Sequence, residues 1–416
     1  MIAHHHNKIF TIIKISILIF VISCFMYASN KHPIILMHGF MGWGRDEMND
    51  FYYWGGSTDL EEYLKSEGYE VYSVSMGPIS SNWDRAIEAF YQIKGGQVNY
   101  GEFHSETYGV IQKPNDKTYN GLYKKWNEDN PIHIISHSQG GQTARMLEYL
   151  LKEEFQGEDS DLLSNSKIGW IKSISTISCP HNGTILADIV SENLPFLQKM
   201  TPLFGALGNS EIENFYDFDL DQWDFKRNSD ESMTDYLNRI SESKIKESKN
   251  FSGWDLSIKG SKEFNDLYIT DSDVYYFSYT NYSTKELKNG THFPDWNMSL
   301  LVWIPSIIIG TSDKLSSDWY MNDGIVSTTS MKYPINSRGA PEPNKLYNDN
   351  YIEKGIWQVM EPIHQDHHVI IGHKIGYLDI ENMKLESKSI FRKKFKLEEN
   401  YSEFIKSISS INETII

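Results

Sequence analysis

An α/β protein with a mostly parallel central sheet is predicted by three observations. Short apolar strands alternate with helical segments along most of the chain. Those strands are apolar at nearly every position, as burial on both faces of a sheet requires. A strand, a tight turn carrying a serine, and a helix start follow one another in His133-Ile134-Ile135-Ser136-His137-Ser138-Gln139-Gly140-Gly141-Gln142.

Pro33 to Met37 reads as a first buried strand, ending at His38-Gly39-Phe40. Asp59 to Glu67 reads as a helix stopped by Gly68. Tyr69 to Met76 is a second strand, and Trp83 to Gln92 is helical. Ile132 to Ser136 is the strand before the serine turn, and Gln139 to Phe155 the helix after it. Ile171 to Ile177 and Val274 to Tyr279 are further strands. The polar stretches Glu153 to Lys167 and Leu237 to Lys249 read as solvated helix ends and loops. Apolar residues recur at helical spacing from Ile185 to Leu207. By pattern alone that segment is one or two core-facing helices; a lid over an apolar pocket is the functional alternative. No internal repeat is present.

The chain has 416 residues, 40% of them hydrophobic, enough for one large domain or two modest ones. Its 11 Trp and 25 Tyr argue against a disordered chain. A net charge of −17 argues against a nucleic-acid binder and for solubility.

Lys8 and Lys14 precede an apolar run from Ile15 to Cys24. A cationic start before a short apolar run reads as a secretory signal, with cleavage near Ala28 and residues 29–416 as a single domain. The bland alternative is a transmembrane anchor, for which the run is short. Val21-Ile22-Ser23-Cys24 also resembles a bacterial lipoprotein cleavage box, which would leave Cys24 lipidated and the chain tethered to a surface. Cys179 is the one other cysteine, so no intramolecular disulfide is expected in the mature chain.

The serine turn has the form S-x-S-x-G, a variant of the G-x-S-x-G nucleophile elbow. The outer positions must be small because the turn is strained, and Ser136 is larger than the usual glycine. A serine hydroxyl needs a general base, and the base needs an orienting acid. The order Ser, acid, His is met by Ser138, Asp323 in Asn322-Asp323-Gly324-Ile325-Val326, and His367 in Gln365-Asp366-His367-His368. His364, His368 and His373 are rivals for the base. An oxyanion needs donors, and the amides of Gln139 and Phe40 are the candidates.

These residues together resemble the secreted true lipases of Gram-positive bacteria, the staphylococcal and thermophilic-bacillus group. The matching stretches include His38-Gly39-Phe40-Met41-Gly42-Trp43-Gly44-Arg45, Tyr53-Trp54-Gly55-Gly56 and Ser80-Ser81-Asn82-Trp83-Asp84-Arg85-Ala86. They continue with the elbow through Leu147, Pro180-His181-Asn182-Gly183-Thr184, Leu220-Asp221-Gln222-Trp223 and Asn322-Asp323-Gly324-Ile325-Val326. The resemblance spans about Pro33 to Gly372. It implies an α/β-hydrolase fold, Ser138, Asp323 and His367 as the triad, Phe40 and Gln139 as the oxyanion hole, and a helical lid over about residues 184–215.

The resemblance also implies metals. Of the family's four zinc ligands, Asp84, His104 and Asp221 match, while the second histidine position reads Val110; Glu102 and Glu106 are nearby carboxylates. Zinc prefers four ligands, although three can hold it with a water. The family's calcium carboxylates read here as Val369 and Lys374, so no calcium is expected at that site. Lys374 would instead supply positive charge there.

The expected function is a secreted or surface-attached triacylglycerol lipase working through an acyl-enzyme on lipid at an interface, with no obligate protein partner. A phospholipase or a short-chain carboxylesterase of the same fold are alternatives. A catalytically silent lipid-binding surface protein is the alternative from another class.

Overall fold

Ile34–Met37 (β1) and Val71–Val74 (β2) open a seven-stranded sheet in the computed structural model, which describes residues 32–48, 50–193, 217–228, 230–243, 245 and 248–373. Ile132–His137 (β3), Ile171–Ile177 (β4), Tyr275–Tyr279 (β5), Asn344–Leu346 (β6) and Trp357–Val359 (β7) complete it. The spatial order is β6-β7-β5-β4-β3-β1-β2, and every neighbouring pair is parallel. The expected strands are all present, with β2 shorter than the sequence suggested. Strands β6 and β7, at one end of the sheet, have three residues each, too few to show a pattern.

Alternation along the strands feeds two apolar cores, one on each face. Ile34, Leu36, Ile135, Ile177 and Phe277 join one cluster; Ile35, Met37, Ile134, Ile174 and Tyr276 join the other. Successive strand side chains point to opposite faces, so unbroken apolar strands demand cover on both.

The cover is helical. Leu60–Ser66 (α1) begins at Asp59, whose carboxylate accepts the Glu62 amide at 3.0 Å, and ends before Gly68. Asn82–Lys94 (α2) is capped by Ser81 and packs against Gln139–Lys152 (α4); Glu102–Tyr108 (α3) lies between them in sequence. Ile185–Asn193 (α5) starts the apolar segment read as a lid, with Ile185 and Ala187 buried. The rest of that segment, residues 194–216, lies outside the described residues, as do the leader with Cys24 and Lys374.

Met233–Glu242 (α6), Ile258–Leu267 (α7) and Trp303–Gly310 (α8) are further helices. The polar stretch around Leu237 is therefore helical, with Ile240 buried, and the loop after α4 tucks Leu162 and Leu163 fully into the core. Among the described residues no helix is long and apolar enough to cross a membrane.

Candidate active site

The site forms where the sheet's parallel strands end together. The register pairs Met37 with Ser136, so β1 and β3 finish side by side. Loops beyond the carboxyl ends of parallel strands are where α/β folds carry their sites. Ser138 follows β3 at φ 55° and ψ −129°, a conformation L-residues rarely adopt, and α4 begins at the next residue. Such a turn holds only if its neighbours leave room. A Cβ on Gly140 would stand 2.4 Å from the Met37 carbonyl oxygen, and one on Gly141 2.4 Å from Cys179 Sγ.

Ser136, the residue that departs from the usual glycine, is fully buried and donates its hydroxyl to the Ser175 carbonyl on β4 at 3.0 Å. Its extra atoms therefore bring their own partner instead of a collision.

His367 stands between Ser138 and Asp323. Its Nε2 lies 3.0 Å from Ser138 Oγ, and its Nδ1 2.7 Å from Asp323 Oδ2. Asp323 is fully buried, and its Oδ1 accepts the Ile325 and Val326 amides at 2.9 and 2.8 Å. The Asp323 carbonyl also accepts the His367 amide at 3.0 Å, which ties the two loops by backbone.

The rival histidines face elsewhere. His364 stacks on Tyr282 with its Nε2 3.2 Å from Asp295. His373 donates from Nε2 to the Tyr53 carbonyl at 2.7 Å. Burial holds the imidazoles of His368 and His373 below their ordinary range, His373 at about 4, with the neighbouring imidazole of His367 adding to the effect.

The loop after β1 packs directly on the nucleophile: a Cβ on Gly39 would stand 2.6 Å from Ser138 Cβ. The Gly39 amide is donated to the Tyr53 hydroxyl, and half-buried Phe40, the expected second oxyanion residue, follows it directly on this loop. The Gln139 amide opens α4, where the first N–H groups have no intrahelical partner.

A family model described as lipase-like, C-terminal domain matches residues 30–404. The chain belongs to this lipase family. It is 35% identical over 376 residues to a lipase of Staphylococcus hyicus, covering 87% of this chain and 56% of that one. It is 35% identical over 355 residues to lipase 1 of Staphylococcus aureus, covering 82% and 50%. The chain thus spans about half the length of the curated relatives it matches.

Solved structures agree. EstA from Clostridium botulinum superposes with a TM-score of 0.75 at 36% identity, over 83% of this chain and 84% of that one. The Staphylococcus hyicus lipase structure gives 0.72 at 35%, over 90% and 97%. Lipase 1 from Pelosinus fermentans gives 0.72 at 35%, over 86% and 100%. The fold is the α/β-hydrolase fold of these lipases.

Two residues that hold the site went unassigned in the sequence. Arg85 is fully buried and donates to the carbonyls of His38 at 2.5 Å and Gly77 at 2.8 Å, and to Thr143 Oγ1 at 3.1 Å. It clamps the loop that carries Phe40. Asp366 accepts the amides of Ser299, His368 and Val369, and burial raises its carboxyl above the usual range. It shapes the turn behind His367. An Asp next to a candidate histidine was the available signal.

Of the residues implied for zinc, Asp84 and His104 lie together, while the Asp221 carboxylate turns toward Lys117. His104 Nε2 lies 2.9 Å from Asp84 Oδ1. Asp84 Oδ2 accepts the side-chain amides of Gln222 at 3.1 Å and Asn250 at 3.0 Å. It is Gln222, and not Asp221, that reaches Asp84; the Asp221 carboxylate stands 3.9 Å from Lys117 Nζ. Val110 offers no donor atom, and Glu102 and Glu106 are exposed on α3. Among the described residues no group of three His, Cys, Asp or Glu side chains is placed to hold a metal ion. Val369, at the family's calcium position, presents only an apolar side chain and an amide given to Asp366.

Proposed function

We propose that the chain is a carboxylic ester hydrolase of lipids, with triacylglycerol as its first substrate. The observation that carries this reading is the unbroken hydrogen-bond line from Ser138 through His367 to Asp323 at 3.0 and 2.7 Å, set on an elbow at a helix N-terminus.

The steps follow from the atoms. Ser138 Oγ attacks the ester carbonyl while His367 Nε2 takes its proton. Asp323, fixed by two amides, keeps the proton of His367 on Nδ1 and stabilises the imidazolium. The amides of Gln139 and Phe40 receive the charge developing on the carbonyl oxygen; one such donor is worth about 3 kcal/mol of barrier. His367 returns the proton to the leaving alkoxide. A water, activated by the same nitrogen, then clears the acyl group from Ser138.

An insoluble substrate is supported by exposed apolar side chains around Ser299. Trp296, Leu300 and Ile304 are 79%, 52% and 72% exposed, on the segment whose Ser299 amide is held by Asp366. Exposed large apolar side chains on a segment tied to the residue beside His367 suit a lipid surface. The leader read in residues 1–28 supports action outside the cell, free or held by Cys24.

The test is hydrolysis of tributyrin and triolein emulsions against a soluble butyrate ester, with wild type and Ser138→Ala side by side. Turnover of emulsions that vanishes in Ser138→Ala supports a lipase. Turnover confined to the soluble ester favours a carboxylesterase, and preference for phospholipid vesicles a phospholipase. A folded wild type that cleaves no ester contradicts the reading and leaves a lipid-binding protein.

A further inference from the structure

We propose that His137 and Tyr53 are positioning residues: together they form one directional hydrogen-bond chain that fixes the oxyanion loop and the histidine loop relative to each other. The inference rests on the ester-hydrolase reading.

Four groups make the chain. The Gly39 amide donates to Tyr53 Oη at 2.7 Å. Tyr53 Oη lies 2.6 Å from His137 Nδ1. His137 Nε2 lies 2.9 Å from the carbonyl oxygen of His367. Both side chains are buried, Tyr53 at 7% exposed and His137 at 1%.

The direction is fixed by chemistry. A carbonyl oxygen only accepts, so His137 Nε2 carries a proton. Burial, with the neighbouring imidazoles of His367, His368 and His373, pushes the His137 imidazole well below its ordinary range, so the ring is neutral and, with its proton on Nε2, Nδ1 is bare. Nδ1 must then accept from the Tyr53 hydroxyl, whose oxygen is free to accept the Gly39 amide. Each of the four groups is satisfied in this one arrangement. The other neutral tautomer would set a bare Nε2 against the His367 carbonyl oxygen, acceptor against acceptor, between buried groups.

The ends of the chain matter. Gly39 directly precedes Phe40, the candidate oxyanion donor. The His367 carbonyl belongs to the residue that takes the Ser138 proton, and the His137 and His367 rings are 4.7 Å apart. His137 is itself the neighbour of Ser138 in the elbow. One buried chain therefore links all three segments that must agree in position. Trp43 packs edge-on against Tyr53 at 5.4 Å, which restrains the ring.

The experiment compares wild type, Tyr53→Phe, His137→Leu, His137→Gln and the Tyr53→Phe/His137→Leu double variant on a soluble butyrate ester, with melting temperatures recorded alongside. Tyr53→Phe is expected to lower kcat by roughly tenfold to a hundredfold with KM within about twofold, because displaced groups cost the transition state and not the encounter. His137→Gln, whose side-chain amide reaches toward the His367 carbonyl, is expected to recover part of the loss seen in His137→Leu. The double variant is expected to be no slower than the slower single one, since members of one chain are not additive. Unchanged kcat with a lowered melting temperature would reduce both residues to packing and overturn the inference. So would losses that multiply in the double variant. If Tyr53→Phe does not fold, the His137→Gln and His137→Leu pair carries the test. Wild type that cleaves no ester overturns the ester-hydrolase reading; active wild type with unaffected variants overturns this inference alone.

Discussion

Asp323 and Glu148 show how differently two fully buried carboxylates are used. Asp323 accepts two amides and faces His367 Nδ1, so its orientation is set before any substrate arrives. Asp323→Asn keeps the shape but offers an N–H where an acceptor is needed. It is expected to lower kcat by about 10⁴ with little change in KM, read from steady-state hydrolysis of a soluble ester. Glu148, on α4, receives the hydroxyls of Tyr268 at 2.6 Å and Tyr276 at 2.5 Å, and burial lifts its carboxyl to about 7. A carboxyl raised in the folded state binds its proton more tightly there than in the unfolded chain. Its contribution is fully present below its ordinary value of 4.5 and is lost as pH rises through about 7. Relative to Glu148→Gln, wild type is therefore expected to lose about 3 kcal/mol of stability between acidic and mildly alkaline pH. Denaturant unfolding of both proteins at about pH 5 and about pH 8 checks it.

At the scale of elements, the nucleophile elbow was legible because its chemistry is local: an apolar strand, a serine and two small residues. The departure at Ser136 was legible as an oddity, but not its resolution, since the partner carbonyl of Ser175 lies on a neighbouring strand. Ser136→Ala removes that bond and is expected to cost about 1 kcal/mol while leaving kcat on a soluble ester nearly unchanged. Denaturant midpoints and kcat together decide this, and a large loss of kcat would mean the hydroxyl does more than fill the strand. Strands β1 to β5 were readable from their apolar runs. The three-residue strands β6 and β7 were not, because their hydrogen bonds come from β5 and from each other and their side chains show no periodicity. Helix α8 reads as a plain apolar run, Trp303-Ile304-Pro305-Ser306-Ile307-Ile308-Ile309, and only the fold tells such a run from a strand.

For the whole molecule, seven parallel strands with an apolar core on each face gather the site beyond the strands' carboxyl ends. The residues implied by resemblance divide on this scale. Ser138, Asp323 and His367 come from loops 185 and 44 residues apart in sequence yet meet within hydrogen-bond distance. Asp84, His104 and Asp221 do not meet as a set, because Gln222 and Asn250 already fill Asp84 and Val110 replaces a ligand. A missing ligand was visible in the sequence; the amides that take up the remaining carboxylate were not. The fold around α2 and α3 is therefore expected to hold without metal. Purified protein should carry far less than one zinc per chain, and a chelator should leave its melting temperature unchanged. Asp84→Ala should still destabilise by about 1–3 kcal/mol, since His104, Gln222 and Asn250 lose a buried partner. One zinc per chain, with melting lowered by the chelator, would contradict this.

The most direct test of the central claim is covalent trapping. An alkyl phosphonate p-nitrophenyl ester places a tetrahedral phosphorus where the acyl carbon would sit; the nucleophile displaces p-nitrophenolate and stays bonded to phosphorus. Mass spectrometry of the digested protein should find one phosphonate per chain, on Ser138, with labelling abolished in Ser138→Ala and strongly slowed in His367→Ala. A folded wild-type protein that takes no label, or takes it on another residue, would contradict the account.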